Sequence, residues 1–149
     1  MPKFLDWPPV WLLICMFVAW GAARYLPWAV VEFPGQRAIG GGLILLGLLL
    51  SLLAAWEMHR ARTTIVPHRA PEALVTRGVF RFSRNPIYLS DWIMLLGWII
   101  LWGALAALPL LWVFAKIIEK RFIRGEEERL RARFGERFED WSRRTRRWI

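Results

Sequence analysis

Uncharged, mostly apolar residues run from Val10 to Ala23, again from Ala38 to Trp56, and a third time from Ile87 to Ala115, where Asp91 is the sole charge. Between and after these blocks the chain is dense in arginine and glutamate. No stretch alternates with a period of two, so the pattern predicts helices and no strands. The first block is flanked by Trp7, Pro8 and Pro9 before and by Arg24, Tyr25 and Trp28 after, and predicts a membrane span over about 10–30. The second holds 19 residues without a charge before Glu57, Met58, His59 and Arg60. That is close to the ~20 residues needed to cross a ~30 Å hydrocarbon core, and it predicts a span over 38–57. The third is 29 residues long; as one straight helix it would measure about 44 Å, too long for a single crossing. Gly103 and Pro109 offer break points, so the expectation is a tight helical hairpin with spans at 87–101 and 105–118. The fold class expected is an all-α polytopic membrane protein: four transmembrane helices and an amphipathic C-terminal helix in a single domain, 1–149.

Charge placement argues for four spans over three. Lys and Arg gather at the cytoplasmic ends of membrane helices. With four spans, nineteen of the 21 basic residues fall on one side, from Lys3, the 59–86 segment and the tail from Lys116 onward. With three spans the basic tail would be stranded outside. The expected topology is therefore multi-pass with both termini cytoplasmic, in a cell (inner) membrane. A cleaved signal peptide fits less well, because the basic start is limited to Lys3, with Asp6 after it, and no small-x-small cleavage site precedes a soluble domain.

Composition sharpens this reading. The 56% hydrophobic residues and 22% charged residues are segregated along the chain, which excludes disorder and argues against a soluble globule. A net charge of +9 would also suit a nucleic-acid binder, but the apolar mass assigns it to orientation and to an anionic membrane surface, with no nucleic acid expected. Cys15 is the only cysteine, so neither a disulfide nor a cysteine metal site is expected. Gly40, Gly41 and Gly42 follow no strand and open no βαβ unit, which excludes a nucleotide-binding glycine loop. With Gly47-x-x-x-Ser51 they read as close helix packing.

Two polar segments carry the candidate chemistry. The connection 59–86 is far longer than the ~4–6 residues usual between elements, and it contains Gly78, which permits unusual backbone angles, and Pro86, which can start a helix. The segment 119–149 repeats Phe122, Leu130, Phe134, Phe138 and Trp141 at helical spacing, giving an amphipathic helix for the membrane surface. Glu126 stands on that apolar stripe, and Arg133 follows two turns later on the same face; Glu128 lies on the flank as a solvated charge. Surface pairing such as Glu127 with Arg131 is the plainer reading of this segment. Asp91 sits one turn into the third span, where an ionisable group is a functional candidate, unless it merely pairs with Arg84.

The run Gly78-x-Phe80-x-x-x-Arg84-Asn85-Pro86-x-Tyr88-Leu89, preceded by Leu74-Val75-Thr76, and the run Glu126-Glu127-x-x-Leu130-x-x-x-Phe134-Gly135-x-x-Phe138-x-x-Trp141, closing with Arg147-Trp148, occur in order around the hairpin. Together they resemble the integral-membrane isoprenylcysteine carboxyl methyltransferases and related phospholipid methyltransferases, over roughly residues 60–149. The resemblance implies an S-adenosylmethionine-dependent methyltransferase whose cofactor pocket faces the cytoplasm, with a lipidic acceptor arriving laterally between helices. It implies cofactor-binding roles for Gly78, Phe80, Arg84, Asn85, Pro86, Tyr88 and Glu127, and catalytic roles for Glu126, Glu127 and Arg133. Many members carry His where Asn85 stands, Gly where Ser90 stands and Pro where Arg146 stands; the second difference puts a close backbone approach at Ser90 in question.

Methyl transfer from a sulfonium needs alignment and water exclusion more than covalent help. A carboxylate acceptor would be oriented by Arg84 or Arg133, whereas a protonated amine would lose its proton to Glu126 or Glu127. An isoprenylcysteine-type carboxylate is the favoured acceptor, with a phospholipid amine or a small thiol as alternatives. An NADPH-dependent membrane reductase and a non-catalytic lipid-binding protein are the rival functions. The sequence leaves the oligomeric state open, and does not say which of Glu126 and Glu127 faces a pocket.

Overall fold

The computed structural model describes residues 6–63 and 71–149; Lys3, Arg69 and the Thr64 to Pro67 stretch lie outside them. The described residues form helices α1 (Pro8–Tyr25), α2 (Gln36–Arg60), α3 (Pro86–Leu101), α4 (Pro109–Ile118), α5 (Arg124–Phe134) and α6 (Glu136–Arg144), with short 3₁₀ turns between them. Prolines occupy the first positions of α1, α3 and α4, where a missing N–H costs nothing and the fixed φ suits a helix. Helix α2 follows Gly35, at φ 81°.

Helices α1 and α2 are long and apolar enough to cross a membrane. Their apolar side chains point outward: Leu13, Phe17, Leu45, Leu49 and Leu52 are exposed, a surface that suits lipid and would be costly in water. The chain turns at Gly103, φ 63°, and α4 packs back on α3, giving the expected hairpin. A Cβ on Gly103 would lie 2.5 Å from the Val31 carbonyl oxygen. The Val31 N–H donates to the Gly103 carbonyl at 3.0 Å, and Gln36 Nε2 donates to the Leu101 carbonyl at 3.2 Å, so the loop after α1 is fastened to the hairpin tip. The arms differ from the expected spans. Helix α3 has 16 residues and α4 only 10, beginning at Pro109 rather than 105; at ~1.5 Å per residue, α4 alone covers about 15 Å. It does not end there, however, but continues through a π-helical turn, Glu119–Ile123, into α5.

The glycines of α2 do pack helices. A Cβ on Gly40 would meet the Gly97 carbonyl oxygen and the Leu101 nitrogen, each at 2.7 Å, and one on Gly47 would meet the Ser90 carbonyl oxygen at 2.8 Å. Close approach at Ser90 is thus provided from the α2 side. Gly41 and Gly42 face open space. The main core gathers Leu95, Ile99, Phe114, Ile118, Phe122 and Ile123, with Leu12, Cys15 and Ala19 from α1.

A second cluster joins Ala54 of α2, Phe80, and Phe138 and Trp141 of α6. The single amphipathic C-terminal helix expected is two helices, because Gly135 takes φ 52° and breaks the run. That backbone region is one that glycine visits at little cost.

Candidate functional site

The polar loop before α3 and the C-terminal tail, 61 or more residues apart, are joined by hydrogen bonds, one of them main chain to main chain. The Arg84 N–H donates to the Arg146 carbonyl at 2.9 Å, and Asn85 Nδ2 donates to the Arg147 carbonyl at 3.0 Å. Trp141 Nε1 donates to the Phe80 carbonyl at 3.3 Å. Each such bond satisfies a group that the cluster would otherwise bury unpaired.

Charge locks the same junction. Buried Glu127 accepts from Arg147 twice, Nε to Oε1 at 3.0 Å and Nη2 to Oε2 at 2.7 Å, while Arg84 Nη2 lies 3.4 Å from Oε1. Such a two-pronged guanidinium–carboxylate contact is the strong form of the pair. Arg147 Nη1 also donates to Glu119 Oε1 at 2.9 Å, reaching the π turn. The hydrogen bonds to Glu127 hold the Arg147 guanidinium above its ordinary range. Burial pulls Arg84 below its own, opposed by Glu127; Arg84 stays cationic because the ordinary value is so high.

Beneath this lock lies a cavity of about 450 Å³. Phe80, Arg84, Asn85, Pro86 and Tyr88 come to it from the loop and the start of α3, and Glu126, Arg129 and Leu130 from α5. Trp7 with Pro8 and Pro9 of α1, and Ser51 and Met58 of α2, also line it. The Tyr88 hydroxyl donates to Glu126 Oε1 at 2.6 Å. Burial pushes the Glu126 carboxyl above the usual carboxylate range, with Tyr88 and Arg129 drawing it partly back. Two buried guanidinium nitrogens of residues that line it, Arg84 Nε and Arg129 Nη2, have no hydrogen-bond partner among the described residues. Buried donors left this way are costly unless something else accepts from them.

The expected site residues therefore divide. Phe80, Arg84, Asn85, Pro86, Tyr88 and Glu126 share the cavity wall. Glu127 stands behind it as the hub of the lock. Gly78 is exposed at φ 57°, and a Cβ there would meet the Glu57 carboxylate; its position serves the loop's turn against α2. Arg133 is exposed, its guanidinium over the Phe134 ring at 6.0 Å, and is not on the wall. Seven residues of helix separate it from Glu126 by about 10.5 Å, so sharing a face did not bring them to one pocket. The guanidiniums found at the cavity are those of Arg84 and Arg129 on the wall and Arg147 behind it. Arg129 could have been read from its place three residues after Glu126; in sequence Arg147 only closes the second motif, with no role assigned. Asp91 also lines the cavity and does not pair with Arg84, which is engaged by Glu127.

A family model described as phospholipid methyltransferase matches residues 36–137, more than half of the chain. The match takes in α2, which the sequence motifs alone left outside the resemblance, and stops before Trp141 and Arg147. No curated protein matches the chain.

Proposed function

The chain belongs to the phospholipid methyltransferase family, and from that premise we propose that it is an S-adenosylmethionine-dependent membrane methyltransferase that methylates a lipidic acceptor in the cavity between the Arg84 loop and α5. One observation carries the reading: both polar motifs meet on a single cavity whose wall holds an acid, a phenol and two arginines. When bound, the cofactor supplies an electrophilic methyl group on a sulfonium.

The donor set suits such a molecule. Glu126 offers an acceptor to an ammonium, Arg84 and Arg129 offer positive charge to a carboxylate, and Phe80 and Trp141 offer aromatic surface. The volume falls within the ~300–1,000 Å³ of small-molecule pockets. Glu127 and Arg147 act at one remove, holding the tail against the loop so that the wall exists and water is kept out. An acyl or prenyl tail has a route between α1 and α2, which flank the cavity while each packs on α3 or its neighbouring loop. We read the topology as four crossings with cytoplasmic termini in a cell membrane, α4 reaching its length through the π turn, because that arrangement keeps the basic loop, the basic tail and the cavity on one side.

Calorimetric titration of the detergent-purified full chain with S-adenosylhomocysteine tests the reading. Saturable one-to-one binding is expected. Folded protein that shows no heat of binding, while NADPH raises its melting temperature, would replace the reading with a reductase.

A further inference from the structure

Asp91 is the one acid on the cavity wall that the arrangement described so far does not use. It is 6% exposed and sits on α3 three residues after Tyr88, on the same face and about 4.5 Å farther from the loop. Its side chain makes no hydrogen bond and no ion pair among the described residues. Nearby groups meet other partners: Arg84 Nη2 lies 3.4 Å from Glu127, the Tyr88 hydroxyl donates to Glu126, and the Ser90 hydroxyl donates to the Ile87 carbonyl at 2.6 Å. Arg129 stands with Glu126 and Tyr88 at the α5 end of the cavity. A carboxyl group buried this far without a partner is unfavourable, and an ionisable residue within a membrane helix marks a binding or transfer site whose partner should be sought.

The surroundings say which partner. Trp7, Pro8, Pro9, Ser51 and Met58 line the same cavity. Apart from the Trp7 indole N–H and the Ser51 hydroxyl their side chains are apolar, and among the described residues none of them is a cation for the carboxylate. A ligand that places a positive charge at Asp91 and an apolar chain between α1 and α2 would satisfy both. Resting on the methyltransferase reading above, we propose that Asp91 is the acceptor-binding acid of the cavity: it takes the ammonium of an aminolipid headgroup and receives the proton that this group must lose before methylation.

In that step the ammonium N–H bond breaks and its proton passes to an Asp91 oxygen, leaving the nitrogen lone pair free. The lone pair forms a new N–C bond to the methyl group as the S–C bond of the sulfonium methyl donor breaks, and the electron pair of that bond stays on sulfur as a neutral thioether. The nitrogen regains the positive charge that sulfur loses. A carboxylate acceptor would bring a second negative charge against Asp91, which is why the assignment favours an amine over an isoprenylcysteine-type carboxylate.

The test uses binding without methyl donor, on the full chain in detergent, with dihexanoyl phosphatidylethanolamine and dihexanoyl phosphatidylglycerol as monomeric probes. They share the phosphate and chains and differ in the ammonium. The wild-type protein should bind the ethanolamine lipid at least about tenfold more tightly, the scale of one charge-assisted hydrogen bond. Asp91→Asn should lose that preference while keeping its affinity for S-adenosylhomocysteine, and Asp91→Glu should restore part of it. A wild-type protein without the preference, or an Asn variant that retains it, overturns the assignment; the wild-type measurement decides even if the variant fails to fold. Selective ethanolamine binding without S-adenosylhomocysteine binding would instead remove the methyltransferase reading and leave the ammonium site standing.

Discussion

Replacing Glu127 by Gln removes the charge at the centre of the lock while keeping its shape. The side chain is 10% exposed and faces Arg84 at 14% and Arg147 at 33%. Breaking a buried charge pair by removing one partner costs about 3–5 kcal/mol. Water screens part of the Arg147 contact, and the Gln carbonyl still accepts one bond, so the expected loss is about 2–3 kcal/mol. At ~1.4 kcal/mol per tenfold, the tail should detach from the loop roughly 30 to 150 times more often. Hydrogen exchange reads this directly through the Arg84 N–H, whose acceptor is the Arg146 carbonyl at 2.9 Å. S-adenosylhomocysteine affinity should weaken by the fraction of molecules with the tail detached. Glu128→Gln, at an exposed position, should shift exchange by no more than about threefold, as surface changes do. Equal effects at the two positions would refute the claim that Glu127 holds the cavity closed.

Two further expectations follow from the same geometry. Because burial raises the Glu126 carboxyl above its ordinary ~4.3, it takes up its proton at a higher pH than a free glutamate; ligand affinity that uses the carboxylate should fall as pH drops through that raised value, and Glu126→Gln should flatten this acid limb. An unchanged limb in the variant would place the titration elsewhere. Gly40→Ala should lower the melting temperature by the equivalent of about 1–3 kcal/mol, since its Cβ would press on backbone atoms of α3 that cannot swing away. Gly41→Ala meets nothing and should gain up to ~1 kcal/mol of helix propensity; matching shifts would deny the glycine contact between α2 and α3.

The elements that sequence showed best are those whose causes are local. Pro86, Pro109 and Gly103 each impose a backbone constraint at their own position, so the hairpin and its turn were legible. Hydrophobic spacing gave the apolar face of the tail but not its break, because Phe134, Phe138 and Trp141 keep a helical rhythm across Gly135 whichever φ that residue takes. Most of the motif residues gather around one cavity, yet the resemblance in sequence implies a catalytic role for Arg133 and none for Arg147. What separates them is tertiary: Arg133 rides on α5 beyond the cavity, whereas the bend at Gly135 and the docking of Trp141 under Phe80 return Arg147 to Glu127.

The same limit applies to the adjacent acids, and the π turn resolves it. Phe114, Ile118, Phe122, Glu126 and Leu130 form a row at spacing four along α4 and α5. In an uninterrupted α-helix such a row walks about 40° per step, so Leu130 would be about 160° around the helix from Phe114. At Glu119–Ile123 the ladder shifts by one residue, the Arg124 N–H bonding to the Glu119 carbonyl, and the inserted residue takes back about 100° of that drift. Phe122 and Glu126 therefore both meet Tyr88, ring to ring at 6.2 Å and carboxylate to hydroxyl at 2.6 Å, while Glu127, about 100° around, faces the tail. Inserting one alanine after exposed Lys120 adds a residue that the single π turn does not absorb, so α5 rotates by about 100° and Glu126 parts from Tyr88 and Glu127 from Arg147. The insertion variant should keep its helical circular dichroism and lose S-adenosylhomocysteine binding; an insertion variant that binds as tightly as the wild type would show that the register of α5 does not set which acid faces the cavity.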